Sequence, residues 1–157
     1  MFSVAEIMTP NPFTLGPDES LSTARRLMSE KHIRHIPVVD DAGALVGIVS
    51  QRDVLAAADS SVLPDTEAHL EEERYVALSA IMTSPVQTVE ENASLRGTAL
   101  QLLQSRTGCM PVTRSGKLVG IITDTDFISI AINLMEQLEQ AEPDLYDFDE
   151  GFNDGEI

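Results

Sequence analysis

The chain carries the sequence Leu-Val-Gly-Ile-Val-Ser-Gln-Arg-Asp at 45–53 and a close copy, Leu-Val-Gly-Ile-Ile-Thr-Asp-Thr-Asp, at 118–126. In each copy an apolar, β-branched run ends at a Ser or Thr, and a carboxylate follows three residues later. An apolar run without alternation predicts a strand that is buried on both faces. A Ser or Thr at its end is a typical helix N-cap. Each copy therefore predicts a buried strand that leads directly into a helix.

Two interpretations fit the Ser50–Asp53 pair and the matching Thr123–Asp126 pair. In the functional one, the N–H groups at the helix start point outward and bind an anion or nucleotide at the strand's carboxyl end. In the structural one, each pair is a capping box, whose carboxylate bonds back to the N-cap amide. The sequence leaves both open, and the occurrence in two copies adds weight to the functional one.

The two copies belong to a longer internal repeat. Ile-Met-Thr at 7–9 returns at 81–83, and the halves then align at an offset of 74 residues until one residue drops out of a turn. Two units are too few for a solenoid. We therefore expect an α/β fold in which two β-α-β-β-α repeats pack as a pseudo-twofold pair. The expected organisation is repeat 1 at 4–60, an acidic linker at 61–77, repeat 2 at 78–138 and an acidic tail at 139–157.

Each repeat should contain an amphipathic helix before its hairpin. Asp18 and Asn92 are the expected N-caps. A hairpin turn is expected at 41–44, and the last helix should continue through Leu138. The apolar stripes of the two amphipathic helices are Leu21, Ala24, Leu27 and Met28 in repeat 1, and Leu95, Ala99, Leu102 and Leu103 in repeat 2.

The linker and the tail are both acidic. Residues 67–78 are expected to be helical, with Leu70 and Val76 facing inward and the three glutamates at 71–73 on a solvated face. From residue 136 onward there are nine acidic residues and no basic one. Acidic residues mixed with aromatics predict a disordered or weakly docking tail. Its aromatic residues are Tyr146, Phe148 and Phe152.

Composition narrows the class of protein. The formal net charge of −16 in 157 residues argues against a nucleic-acid backbone or an anionic membrane as partner. An anionic ligand would need local positive groups to counter that field. The single cysteine allows no intrachain disulfide, and no apolar run reaches the ~18 residues of a membrane span. We therefore expect a cytoplasmic protein.

Catalytic and metal-binding interpretations have little support in the sequence. Cys109 could pair only with His32, His35 or His69, and no third orienting residue is evident. His32 and His35 lie three residues apart without a second cluster of metal ligands. We expect no catalytic residue and no metal site, although Mg²⁺ could arrive with a nucleoside triphosphate.

The ordered set of motifs resembles the CBS domain, named after cystathionine β-synthase. The set runs Ile-Met-Thr, a short strand, a helix, His-Ile-Arg-His-Ile-Pro-Val-Val-Asp, and then Gly-x-Leu-Val-Gly-Ile-Val-Ser-Gln-Arg-Asp. The resemblance covers residues 4 to about 135. It implies a tandem CBS pair, often a homodimer, that binds AMP, ADP, ATP or S-adenosylmethionine and regulates a partner protein.

The resemblance also implies two clefts, each combining groups from both repeats. In the main cleft, Asp53 would accept the ribose diol, and Arg34, His35 and Ser50 would meet the phosphate. Arg52 lies nearby and adds positive charge. The main cleft is expected to contain Arg34, His35, Ser50, Arg52, Asp53, Thr88, Thr107, Cys109 and Met110.

The second cleft is expected to bind more weakly, because Gly108 stands where the first has a cation and Asp124 adds negative charge. It should contain Thr14, Ile33, Ile36, Gly108, Thr123 and Asp126. Ile33, Ile36, Met110 and Pro111 could form the walls around an adenine. For each of these four, plain core packing is the alternative interpretation.

Two functions of different classes follow. The first is a stand-alone regulatory protein that binds an adenosine-type nucleotide and signals to a partner. The second is a ligand-free dimeric interaction module whose acidic tail docks a partner. The expected dimer would be isologous and built from the helices before the hairpins or from those after Asp53 and Asp126.

Overall fold

A computed structural model of the chain describes residues 2–58 and 73–141. Four α-helices, six β-strands and two 3-10 helices lie wholly within those residues. The α-helices are α1 Leu21–Lys31, α2 Gln51–Ala58, α3 Leu95–Ser105 and α4 Asp124–Ala141. The strands are β1 Thr9–Pro10, β2 His35–Val39, β3 Leu45–Ser50, β4 Val89–Glu90, β5 Cys109–Arg114 and β6 Lys117–Thr123, and the 3-10 helices are Val4–Glu6 and Leu78–Ala80.

Both halves have the predicted β-α-β-β-α order. In the second half, β4 runs parallel to β5, and β5 pairs antiparallel with β6. In the first half, Leu15 forms a single parallel bridge to Val38, and β2 pairs antiparallel with β3. Both hairpins turn at a glycine with positive φ, Gly43 at 80° and Gly116 at 79°, where a side chain would be strained. The α/β fold with two pseudo-twofold repeats is therefore confirmed.

The helices before the hairpins begin at serines. Ser20 Oγ accepts a hydrogen bond from the amide three residues later at 3.2 Å, and Ser94 Oγ does the same at 3.1 Å. The predictions of Asp18 and Asn92 as N-caps are wrong by two residues. Serine directly precedes the helical stripe, so its short side chain is the one that reaches the N3 amide.

The buried faces of these helices match the prediction in repeat 1 and depart from it in repeat 2. Leu21, Ala24 and Met28 are buried on α1. On α3 the buried residues are Thr98 and Leu102, whereas Leu103 is 75% exposed. The prediction that Leu103 lies in the stripe is wrong, because the small Thr98 occupies the core side of the helix instead.

The N-terminal segments of the two repeats are exchanged. The Val4 amide donates to Ala93 O at 3.0 Å, and β1 pairs with β6 of repeat 2. In return, the Leu21 amide donates to Val76 O at 2.9 Å, and the Thr83 amide donates to Ile48 O of β3 at 2.9 Å. Each Ile-Met-Thr triplet therefore joins the opposite repeat and fastens the two together.

The exchange places a methionine over each glycine of the Leu-Val-Gly-Ile motif. A Cβ atom on Gly47 would overlap Sδ and Cγ of Met82, and one on Gly120 would overlap the Sδ of Met8. The glycines thus provide room for the methionines of the opposite repeat. Two hydrophobic clusters result. The first contains Leu21, Ile36, Val49 and Leu78 among others, and the second contains Val4, Met110, Val112 and Ile122.

In the described part of the linker, residues 73–77, one carboxylate is buried. Glu73 is only 7% exposed and forms an ion pair with Arg25, with Oε1 3.1 Å from Nη1. The prediction of a solvated face is therefore wrong for Glu73, which pairs with a cation as a buried carboxylate must. Val76 packs on the first cluster as expected. The helix predicted at 67–78 is wrong for 74–77, which form a turn and an extended segment before the 3-10 helix at Leu78–Ala80. Leu70 and the other two glutamates lie outside the described residues.

The last helix extends to Ala141, as predicted, and it carries apolar residues on its surface. No residue of α4 is buried among the residues that the structure describes. The exposed large side chains are Ile128, Ile132, Leu134, Met135 and Leu138, with between 51% and 65% of their surface accessible. The tail aromatics Tyr146, Phe148 and Phe152 lie outside the described residues.

Candidate functional site

The Ser50–Asp53 pair forms a capping box, and the Thr123–Asp126 pair forms the carboxylate-to-amide half of one. The Ser50 amide donates to Asp53 Oδ2 at 2.7 Å, and the Asp53 amide donates to Ser50 Oγ at 3.1 Å. In repeat 2 the Thr123 amide donates to Asp126 Oδ2, also at 2.7 Å. The structural interpretation of these pairs is thus confirmed, since each carboxylate satisfies the backbone at its own helix start.

Further backbone groups at these helix starts are also engaged. The Gln51 amide donates to Arg34 O at 2.8 Å, and the Asp124 amide donates to Gly108 O at 3.0 Å. The expectation of outward-pointing amides is therefore wrong for these residues, because neighbouring carbonyl and side-chain oxygens occupy them. Binding of an anion at these helix starts would therefore depend more on side chains than on backbone amides.

Asp53 keeps one oxygen available. Its Oδ2 accepts from both the amide and the hydroxyl of Ser50, and within the described residues no hydrogen bond involves its Oδ1. The side chain also lines a cavity. A carboxylate held on one oxygen has a fixed direction, and its other oxygen can accept a hydrogen bond from a ligand hydroxyl.

A cavity of about 700 Å³ lies between the two repeats, beside the starts of α2 and α4. That volume falls within the roughly 300–1,000 Å³ range of small-molecule sites. Its polar and small lining residues are Arg34, His35, Ser50, Gln51, Arg52, Asp53, Thr83, Arg106, Thr107, Gly108, Cys109 and Asp124, and its apolar lining residues are Ile48, Ala99, Leu102, Leu103 and Phe127.

The cavity brings together most residues of the predicted main cleft. Arg34, His35, Ser50, Arg52, Asp53, Thr107 and Cys109 all line it. Thr88 and Met110 do not, and Met110 is fully buried in the second cluster. Their roles in binding stay predictions, as do those of the lining residues.

Of the residues predicted for the second cleft, all but one lie outside the lining of this cavity. Gly108 lines it, whereas Thr14, Ile33, Ile36, Thr123 and Asp126 do not. Ile36 has no exposed surface and belongs to the first cluster, which agrees with the core-packing interpretation. Asp124, expected beside the second cleft, lines the same cavity as Arg34 and Arg52.

Contacts across the repeats shape the polar part of the cavity. Arg34 Nη2 donates to Thr125 Oγ1 in the first turn of α4 at 3.2 Å. His35 and Asp124 flank Gly108, since a Cβ there would lie 3.6 Å from His35 Nε2 and 3.4 Å from Asp124 Oδ2. Burial lowers the pKa of His35, and nearby Asp124 opposes this effect. The cationic groups that remain at neutral pH are therefore the arginines.

Sequence reasoning missed several lining residues on α3 and α4. Arg106 is the left-handed residue that ends α3, with φ 53°, and it aligns with His32 at the end of α1. Phe127 aligns with Val54, which is buried. Both residues could have been found by aligning the two repeats, because each differs in type from its counterpart in the other copy.

Chemistry at Cys109 is suppressed. The side chain is 1% exposed, and burial raises the pKa of its thiol far above the ordinary value, with Asp124 and Asp126 adding to the shift. The protonated thiol is a weak nucleophile. No group of three or more His, Cys, Asp or Glu residues in 2–58 and 73–141 is arranged to hold a metal ion. Within the same residues, no helix is long and apolar enough to cross a membrane.

Two β-α-β-β-α repeats that exchange their first segments and enclose a polar cavity define a tandem-repeat α/β module. The family model for the CBS domain matches residues 4–60 and 78–133. A CBS domain-containing protein of Dictyostelium discoideum is 32% identical over 135 residues, which is 85% of this chain and 93% of that protein. The chain belongs to the CBS domain family.

Solved structures support the same assignment. A candidate acetoin utilization protein (AcuB) from Vibrio cholerae is 40% identical, with a TM-score of 0.75 over 88% of this chain and 98% of that one. CBSX2 of Arabidopsis thaliana, in complex with AMP, is 28% identical, with a TM-score of 0.71 over 86% of this chain and 99% of that one. The chain is similar in length and fold to both.

Proposed function

We propose that this CBS pair is a regulatory module that binds an adenosine-type nucleotide between its repeats and signals to a partner protein, with no catalysis of its own. The observation that carries the proposal is the cavity, in which a carboxylate and a hydroxyl at the start of α2 lie beside arginines from both repeats. Candidate ligands are AMP, ADP, ATP and S-adenosylmethionine. The AMP bound to the related CBSX2 supports an adenosine ligand.

The mode of binding follows from the chemistry of the lining groups. Oδ1 of Asp53 would accept a hydrogen bond from a ribose hydroxyl. Arg34 and Arg52 would meet the phosphate, because charge-assisted hydrogen bonds are the stronger ones. Arg34 would then exchange its contact with the Thr125 hydroxyl for a contact with an anion. The apolar lining from α3 and Phe127 offers the base a wall. Mg²⁺ would enter only with a nucleoside triphosphate.

Thermal unfolding with a ligand panel tests the proposal. A ligand at 100 times its dissociation constant should stabilise the fold by about 2.7 kcal/mol. The panel is AMP, ADP, ATP, S-adenosylmethionine and a cyclic dinucleotide as the unrelated nucleotide. An adenosine ligand that raises the melting temperature of wild type, and at the same concentration raises that of Asp53→Ala by clearly less, supports the site. A panel that leaves wild type unmoved would exclude an adenosine sensor.

A cytosolic homodimer is the second part of the proposal. Apolar side chains of α4, such as Ile132 and Met135, are exposed, so the described part of a single chain does not bury them. A twofold contact through them would be isologous. Sedimentation should show twice the 17.1 kDa chain mass, and Ile132→Glu should return the protein to a monomer. A single 17.1 kDa species in wild type at micromolar concentration would contradict the dimer.

The competing function is a ligand-free dimeric interaction module whose acidic tail docks a partner. The exposed face of α4, which leads toward the tail, favours it. Two measurements on the full chain and on a variant without residues 142–157 separate the two functions. The nucleotide sensor shows ligand-induced stabilisation in both forms. The interaction module shows no ligand-induced stabilisation in either form, and it loses partner binding when the tail is removed.

A further inference from the structure

We propose that the cavity selects a nucleoside di- or triphosphate over a monophosphate or a sulfonium ligand, and that Arg106 of repeat 2 contacts the outer phosphates. The inference rests on the proposed nucleotide function and narrows its ligand class.

Positive charge is concentrated in the cavity. Arg34, Arg52 and Arg106 are three of the ten Lys and Arg residues in the chain, and all three line it. Asp53 and Asp124 are the lining carboxylates, two of 26 acidic residues. A chain of net charge −16 repels anions at long range. The concentration of arginines in one cavity therefore makes it the place where an anionic ligand can be held.

The backbone cannot replace these side chains. Amides at Ser50, Gln51 and Asp53 already donate within the protein, as do those at Thr123 and Asp124. A phosphate that enters would find few free N–H groups at either helix start, although such groups bind phosphate in many nucleotide sites. Each additional phosphate must then be matched by an arginine.

Arg106 supplies a cation from the repeat opposite to Arg34 and Arg52. It lies two residues before Gly108, so their Cα atoms are within about 7 Å of each other. The His35 ring lies beside Gly108. Arg106 and the Arg34–His35 pair therefore border the same polar region from opposite repeats. A chain of two or three phosphates can pair with more of these cations at once than a single phosphate can.

The wall formed by α3 indicates how the phosphates of a bound nucleotide would be oriented in the cavity. Ala99, Leu102 and Leu103 line the cavity on the turns before Arg106. The seven-residue separation of Ala99 and Arg106 corresponds to about 10 Å along the helix axis. An apolar base can rest on the earlier turns while the phosphate chain runs toward Arg106. A sulfonium group in the same place would add a cation beside three arginines, which like-charge repulsion disfavours.

Calorimetry in magnesium-free buffer tests the inference with ATP, ADP, AMP and S-adenosylmethionine. Wild type should bind ADP and ATP about tenfold or more tightly than AMP, the effect of one added hydrogen bond between charged groups. Arg106→Gln should remove that preference and leave the affinity for AMP within about twofold. Arg106→Gly is a second variant, since glycine adopts the left-handed conformation of this residue without strain. Arg96→Gln, exposed on the same helix and outside the cavity, is the matched control.

Three outcomes would overturn the inference and leave the proposed function standing. They are equal affinity of wild type for AMP, ADP and ATP, equal loss for AMP and ATP in Arg106→Gln, and tighter binding of S-adenosylmethionine than of ATP. Absence of binding by all four ligands in wild type would overturn the proposed function itself. The two failures are therefore distinguishable in one set of titrations.

Discussion

The two repeats share the hydrogen-bonded helix start at Ser50–Asp53 and Thr123–Asp126, and they differ in the polar side chains beside it. The amide-to-carboxylate distance is 2.7 Å in both. The neighbours change from Arg34, His35 and Arg52 in repeat 1 to Gly108, Cys109 and Thr125 in repeat 2. Arg34, His35 and Arg52 line the cavity on one side, and Gly108 and Cys109 line it from the other repeat.

This difference separates the residues that build the fold from those that can recognise a ligand. Positions that are alike in the two copies, namely the glycines, the capping boxes and the methionines, have a structural role that each repeat needs. Positions that differ are free of that requirement. The arginines at 34, 52 and 106 occur in one copy only, and each is among the residues that line the cavity.

The largest expected effect concerns a shared feature, the methionine over each glycine. Gly47→Ala should lower the free energy of unfolding by about 1–3 kcal/mol, because the new methyl group would overlap Met82 in a packed interface. In the background of Met82→Ala the same change should cost much less, since the overlapping Sδ and Cγ atoms are gone and only the Cβ atom at that position remains, 3.2 Å from the new methyl group. Urea denaturation of the two single variants and the double variant measures this coupling.

Met8→Ala provides the matched control for that cycle, because Met8 packs on Gly120 and not on Gly47. Gly47→Ala and Met8→Ala should therefore destabilise additively. Equal coupling in both cycles would contradict the pairing of each glycine with one methionine of the exchanged segment.

The second prediction tests whether Asp53 and Asp126, the matching carboxylates of the two repeats, contribute unequally to nucleotide binding. Asp53→Ala and Arg34→Ala should each weaken nucleotide binding by about 1–3 kcal/mol, the loss of a hydrogen bond to a charged group. Asp126→Ala should have a much smaller effect, because Asp126 does not line the cavity. Calorimetry with the tightest-binding adenosine nucleotide measures all three.

Arg26→Ala is the control for Arg34→Ala. Arg26 is exposed on α1 and, within the described residues, makes a long contact of 4.0 Å with Glu30. It should leave the affinity unchanged. Equal losses for Asp53→Ala and Asp126→Ala would show that the two helix starts bind alike and would refute the asymmetry.

The third prediction concerns the stability of the same variants, where the two helix starts should behave alike. Asp53→Ala and Asp126→Ala should each destabilise the protein by about 1 kcal/mol, because each removes the acceptor for an amide at a helix start. Chemical denaturation without ligand gives both values. A much larger loss for one of them would mean that its carboxylate has a structural role beyond the capping box.

The sequence predicts the repeat architecture because local rules produce it. The apolar run before Ser50 and the carboxylate at Asp53 specify a strand, a cap and a helix from neighbouring residues alone. The turn glycines and the stripe on α1 are local in the same sense. For this reason the element order, the hairpins and the family resemblance are all borne out by the structure and the comparisons.

The exchange of segments and the cavity border formed by α3 depend on contacts between distant residues. Nothing near Met82 in the sequence indicates that it packs on Gly47, 35 positions earlier. Arg106 is an ordinary surface residue on a helical pattern until the fold brings the end of α3 beside Arg34 and α2. The buried Glu73 is similar, since only tertiary contact with Arg25 explains a carboxylate in that position.

The smallest expected effect comes from His35, which aligns with Cys109 and is the titratable group that distinguishes the centres of the two copies near neutral pH. Burial lowers the pKa of His35 from its ordinary 6.5, with Asp124 and Asp53 opposing the shift and Arg34 and Arg52 adding to it. The unfolded chain therefore binds the proton first. The free energy of unfolding should fall as the pH drops through 6.5 toward the lowered folded value and stay reduced below it.

His35→Gln should remove this component, so the loss of stability between about pH 7.5 and pH 5.5 should be smaller than in wild type. His32→Asn, which removes an exposed histidine at the end of α1, should keep the wild-type slope.

A bound polyphosphate would stabilise the protonated ring and raise the pKa of His35. Binding then takes up a proton, so ADP affinity should rise as the pH falls from about 7.5 to 6.5 in wild type and stay flatter in His35→Gln. An identical pH dependence in both proteins, with and without ADP, would show that His35 borders the cavity without sensing its ligand.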